Sequence, residues 1–115
     1  METLDQFHKF RSAMNRQIET SDHLGLKRFF ALDHQAYEPG ALDTKTKELL
    51  GLVASTVLRC DDCITYHLER CAEEGWSRAE VIDALNVALV VGGSIAIPHL
   101  RRAFARMQEI DGLKT

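Results

Sequence analysis

The chain has 115 residues, with 14 basic against 17 acidic side chains, three cysteines and a formal charge of −3. That is the length of one domain with a modest core, for which association with further copies is a reasonable expectation. There is no basic excess pointing to nucleic acid and no charge block pointing to a tail, and the first residues, METLDQFHKFRSAM, do not form a signal peptide.

Apolar residues recur at helical spacing along almost the whole chain, and no segment alternates cleanly at period two. Leu4, Phe7, Phe10, Arg11 and Met14 predict a first helix ending near Glu19. Ser21 or Asp22 is a candidate cap for a second helix carrying Leu26, Phe29, Phe30 and Ala36, which stops before Pro39-Gly40. Asp43 or Thr44 can cap a third, with Leu49, Leu50, Val53, Val57 and Leu58 on its inner side. A fourth begins at or just before Asp61 and runs to Glu74, with Gly75 placed to end it.

Ser77-Arg-Ala-Glu80 reads as a capping box. The helix it opens carries Val81, Ile82, Leu85, Ala88, Leu89 and Val91, apolar on nearly all sides, which places it at the centre of the fold or in a subunit contact. Gly92-Gly93-Ser94 loosens the chain, and a last helix through Leu100, Phe104 and Met107 ends near Asp111-Gly112. The segment 81–97 is shorter and more polar than a spanning helix. The fold class expected is all-α, about six helices in a single domain over 1–115, in a cytoplasmic protein with no membrane or nucleic-acid partner.

The chemistry concentrates in residues 60–67, CDDCITYH. On a helix Cys63 and His67 share a face, so an imidazole can take the thiol proton and leave the nucleophilic thiolate. Cys60, three residues earlier, can close a disulfide with Cys63 if the backbone permits, and helix position alone favours Cys60 as the attacking sulfur. The histidine one turn away favours Cys63. Asp61 and Asp62 oppose a second anion there. Cys60, Cys63, His67 and Cys71 also give four potential zinc ligands, but Cys63 and Cys71 on one helix stand about 12 Å apart along its axis. Zn–S bonds of roughly 2.3 Å do not span that gap, so no metal is expected and Cys71 reads as a small buried apolar residue. Two unreactive core thiols are the plain alternative for the pair.

Glu48, eleven residues, Cys60-Asp-Asp-Cys63, three residues and His67 form E-x11-C-x2-C-x3-H. This pattern resembles the signature of the AhpD-like branch of the carboxymuconolactone decarboxylase family. ALVVGGSIAIPH (88–99) is similar to the glycine-containing stretch that follows it there. The resemblance implies an all-helical domain assembling into homotrimers or homohexamers. It also implies cofactor-free, thiol-dependent reduction of alkyl hydroperoxides or of a partner's disulfide, recycled by an external lipoyl-bearing or thioredoxin-like reductant. By position Cys63 would be peroxidatic, Cys60 resolving, and Glu48 and His67 the proton relay. Larger AhpD proteins carry further histidines where this chain has Asp62 and Ser77, so the relay here is shorter.

One unbroken helix would put Glu48 about 22 Å from Cys63, whereas a chain reversal near residue 60 cuts its axial offset from His67 to roughly 7 Å. Without that match, Glu48 beside Lys45 and Lys47 reads as a solvated charge. Tyr66 and Trp76 fit either a small apolar mouth or the core. His99, after Pro98, has no spacing that assigns it. Arg101, Arg102 and Arg106 share a helix side and read as a solvated face or a docking patch for an acidic partner. The competing function is a non-catalytic helical oligomer whose cysteines sense oxidation or only pack.

Overall fold

The computed structural model describes residues 1–115, and every regular element in it is helical: α1 (Leu4–Thr20), α2 (Leu24–Ala36), α3 (Thr44–Val57), α4 (Asp61–Glu73), α5 (Arg78–Gly92) and α6 (Ile97–Met107), with a 3-10 turn over Ser94–Ala96 before α6. The all-α expectation therefore holds. Contacts group the chain into two compact units, Met1–Glu38 and Pro39–Thr115.

In the first unit, Thr3 and Gln6 form a reciprocal capping box at the start of α1, and Phe7 is buried. The cap of α2 is neither Ser21 nor Asp22 but His23, whose Nδ1 accepts from the backbone N–H of Leu26 at 3.3 Å. Asp22 is unavailable because it takes the left-handed conformation, φ 59°, and its carboxylate pairs with Lys27. No residue of α2 is buried.

In the second unit side chains cap the starts of α3, α4 and α5, while α6 begins without a side-chain cap and has a proline in its first turn. Hydrogen bonding from the Thr46 side chain, and from the Thr46 backbone N–H at 2.7 Å, holds the pKa of the Asp43 carboxylate below the usual value. Ser77 and Glu80 close the capping box foreseen for α5, and those hydrogen bonds lower the pKa of Glu80. The core joins α3, α4, α5 and α6 through Leu52, Ile64, Leu68, Val81, Leu85, Ala88, Ala103 and Met107. Each large aliphatic buried there stabilises the fold by about 1.5–3 kcal/mol before entropy is counted.

The structure corrects three further expectations and narrows a fourth. The buried face of α3 is Glu48, Leu52, Ser55 and Thr56, while Leu50 and Leu58 are exposed. Two of the polar members are bonded, Glu48 to His67 and Thr56 Oγ1 to the Leu52 carbonyl at 2.8 Å, so their burial is tolerated. Of the two places expected for α5, the centre of the fold does not hold within the chain: Val81, Ala84, Leu85 and Ala88 face inward, but Val87, Val90 and Val91 are exposed. α6 ends at Met107, and tight i,i+3 turns rather than helix carry the chain on towards Gly112, whose φ is 88°. Arg106 is buried, not solvated.

The reversal near residue 60 is what positions the site. After α3 the N–H of Cys60 bonds the Ser55 carbonyl at 3.0 Å and that of Arg59 bonds Thr56 at 3.1 Å, the paired closure of a Schellman motif. Arg59 occupies its left-handed position, φ 61°, where glycine is usual and a side chain costs about 1 kcal/mol. α4 starts two residues later and packs against α3.

Candidate active site

Cys60 is the N-cap residue of α4 and Cys63 lies in its first turn. Extended backbone at the cap (φ −101°, ψ 99°) turns the Cys60 sulfur back over the helix start, where it accepts from the Cys63 N–H at 3.3 Å. The sulfur thus fills the place that serine or threonine oxygen takes at ordinary caps. The two Cα atoms are 5.3 Å apart and the sulfurs are joined as a disulfide. Cys63 is exposed and Cys60 partly so. The pair therefore sits at a helix start open to water, not in the core.

His67 follows Cys63 by one turn on α4 and is buried. Its Nδ1 faces Glu48 Oε2 at 3.3 Å, across the α3–α4 contact and 19 residues away in sequence. An ionised carboxylate only accepts, so Nδ1 carries the proton and the ring's lone pair is on Nε2. Glu48 is 3 % exposed, so it is no solvated surface charge. Removing a carboxylate from water is costly unless partners compensate, and a buried ionisable pair behind an exposed sulfur is a typical feature of functional sites. The ring of Tyr66 meets that of His67 edge-on with centroids 5.1 Å apart, and the Arg70 guanidinium lies 5.5 Å from the Tyr66 centroid.

Trp76 has a different place. Its indole N–H donates to the Lys45 carbonyl at 2.8 Å and the Lys45 ammonium sits over its ring, so it holds the loop after α4 to the first turn of α3. Cys71 is buried, and burial pushes its pKa up to about 12, leaving it a thiol at neutral pH. No group of three or more His, Cys, Asp or Glu side chains is arranged to hold a metal ion.

Two contacts lay beyond sequence reasoning. His99, in the first turn of α6, bonds Asp61 with Nδ1 2.8 Å from Oδ1, and Arg102 stands 3.8 Å from the other oxygen of that carboxylate. Asp61 adjoins Cys60. Arg106 reaches from α6 to Thr65 of α4, Nε to Oγ1 at 3.1 Å, and to Glu109 at 3.0 Å. The sequence separations, 38 and 41 residues, carry no periodic signal. Only the α4–α6 packing brings these groups together.

The family profile and the solved structures point to one family. A profile of the carboxymuconolactone decarboxylase family matches residues 25–106. A solved structure of such a protein from Thermotoga maritima, for which a part in the antioxidative response has been suggested, is 59% identical. The match covers 90% of this chain and 88% of that one, with a TM-score of 0.86. An apo structure of a family protein from Legionella pneumophila is 26% identical, covers 96% and 89% of the two chains, and gives a TM-score of 0.68. An uncharacterized protein encoded in the cox locus of Paracoccus denitrificans is 33% identical over 84 residues, 73% of this chain and 76% of its own length. No helix is long and apolar enough to cross a membrane.

Proposed function

The chain belongs to the carboxymuconolactone decarboxylase family, and from that premise we propose that it is a thiol-dependent oxidoreductase of the AhpD-like kind, reducing alkyl hydroperoxides or a partner's disulfide. The observation that carries this reading is the Cys60–Cys63 disulfide at the open start of α4, with the buried His67–Glu48 pair one turn behind it. The suggested antioxidative role of the Thermotoga relative agrees with it.

In the reduced protein His67 Nε2 takes the Cys63 proton. The thiolate attacks one peroxide oxygen, the O–O bond breaks, and the leaving alkoxide takes the proton back to give the alcohol. Cys63 is then a sulfenic acid. Cys60 attacks that sulfur, the S–S bond forms and water leaves, so two electrons have passed from the dithiol to the peroxide. An external dithiol, lipoyl-bearing or thioredoxin-like, restores the pair. One of its thiols attacks the exposed sulfur of Cys63, and Cys60 leaves as a thiolate held by the Cys63 N–H. The external dithiol's second thiol then displaces Cys63 from the mixed disulfide, and the external pair departs as a disulfide. No bound cofactor enters these steps. Assembly as a homotrimer or homohexamer belongs to the same reading and would cover the exposed Val87, Val90 and Val91.

Reduced protein mixed with cumene hydroperoxide in a stopped-flow instrument should lose two thiols per peroxide consumed. Mass spectrometry should locate the new bond at Cys60–Cys63, and added dihydrolipoamide should sustain many turnovers. A single oxidation that alters oligomer size without further turnover would replace this reading with redox sensing. Glu48→Gln is expected to lower kcat/KM by about 10²-fold, because the amide no longer fixes the His67 ring with its proton on Nδ1. An unchanged rate would remove Glu48 from the relay.

A further inference from the structure

The first turn of α4 poses an electrostatic problem. A thiolate at Cys60 or Cys63 gains from the helix N-terminus, yet Asp61 and Asp62 lie in the same turn and oppose it. The two carboxylates are not treated alike. Asp62 is exposed, so water screens it. Asp61 is half-buried and gripped from α6, with His99 Nδ1 2.8 Å from Oδ1 and the Arg102 guanidinium 3.8 Å from Oδ2. His99 and Arg102 are three residues apart on α6 and so lie on neighbouring turns of one face.

We propose that His99 is a positioning residue of the dithiol site: its hydrogen bond turns the Asp61 carboxylate towards α6 and, with Arg102, offsets the charge that would otherwise disfavour a thiolate at the start of α4. His99 touches neither sulfur in this scheme and acts through Asp61. Of the other charged groups, Arg59 beside Cys60 and Arg101 of α6 are exposed to water, and Glu48 of α3 faces His67. Arg106 is bound to Thr65 and Glu109, and Arg78 of α5 lies over Phe104 and donates to the Leu113 carbonyl. The 3-10 turn before α6 carries no titratable side chain. The inference rests on the dithiol reading above, but the two fail separately, since its readouts need no peroxide turnover.

The test follows the rate of iodoacetamide alkylation of the reduced protein against pH, and the disulfide's equilibrium with glutathione. Cys71 does not interfere, because its pKa of about 12 keeps it protonated near neutrality. His99→Ala should slow alkylation at pH 7 by about threefold, move the inflection to higher pH and shift the glutathione equilibrium towards the disulfide. A less stable thiolate disfavours the reduced form, which fixes that sign. His99→Gln keeps a donor to Asp61 and should stay within about twofold of the unaltered protein. In an Asp61→Asn background the His99→Ala effect should vanish. Circular dichroism confirms that each variant is folded. No shift with His99→Ala, an equal loss with His99→Gln, or an undiminished effect beside Asp61→Asn would each overturn the proposal.

Discussion

Cys63→Ser is expected to lower kcat/KM for cumene hydroperoxide by at least about 10³-fold, some 4 kcal/mol of barrier at about 1.4 kcal/mol per decade. Serine keeps the size and the helix but ionises far too weakly to attack a peroxide at neutral pH. Cys60→Ser should behave differently. The exposed Cys63 would still react once, consuming one peroxide per chain and stopping as a sulfenic acid that dimedone traps. The N-cap itself survives, since a serine oxygen accepts from the Cys63 N–H as the sulfur does. Each cysteine thus has its own signature, no reaction for one and a single stalled reaction for the other. If the signatures exchange, Cys60 attacks and the helix N-terminus, not the imidazole, selects the nucleophile.

The placement of Cys60, Cys63 and His67 was legible in the sequence because the gaps between them span only the cap and first turns of one helix, where period fixes geometry. Glu48 was harder. Its apposition to His67 requires the chain to reverse at residue 60, and the residue that does so, Arg59 in a left-handed conformation, carries no glycine signal. The cap of α5 was plain from Ser77 and Glu80, whereas Asp22, an equally good cap by type, was diverted by its own backbone. The inner face of α3 was misread for a related reason. Hydrophobicity points to Leu50 and Leu58, yet the chain buries Glu48, Ser55 and Thr56, and the partner of Glu48 lies 19 residues away on the next helix. His99 needed tertiary contact altogether, because nothing within α6 foretells an aspartate 38 residues upstream.

Arg106 shows the same blindness with the largest expected cost in stability. Beside Arg101 and Arg102 it looks like one more solvated charge, but it is 3 % exposed and ties α6 to α4 through Thr65 while holding Glu109. Arg106→Ala removes the guanidinium, leaves Thr65 and Glu109 without that donor and empties the space of its buried stem. Glu109 is exposed and water can replace its partner, so the cost comes from the lost buried packing and the Thr65 bond, about 2–4 kcal/mol, a large part of the roughly 5–15 kcal/mol typical of a whole domain. Urea unfolding should show the midpoint falling with little change in slope. Arg106→Met refills the volume without the charge and should recover part of the loss, because the packing share of the cost returns while the bonds to Thr65 and Glu109 do not. Arg101→Ala, exposed on the same helix, should stay within about 0.5 kcal/mol. A similarly small change for Arg106→Ala would mean that the α4–α6 contact stands on its apolar residues alone, and that the grip of His99 and Arg102 on Asp61 does not depend on this second tie.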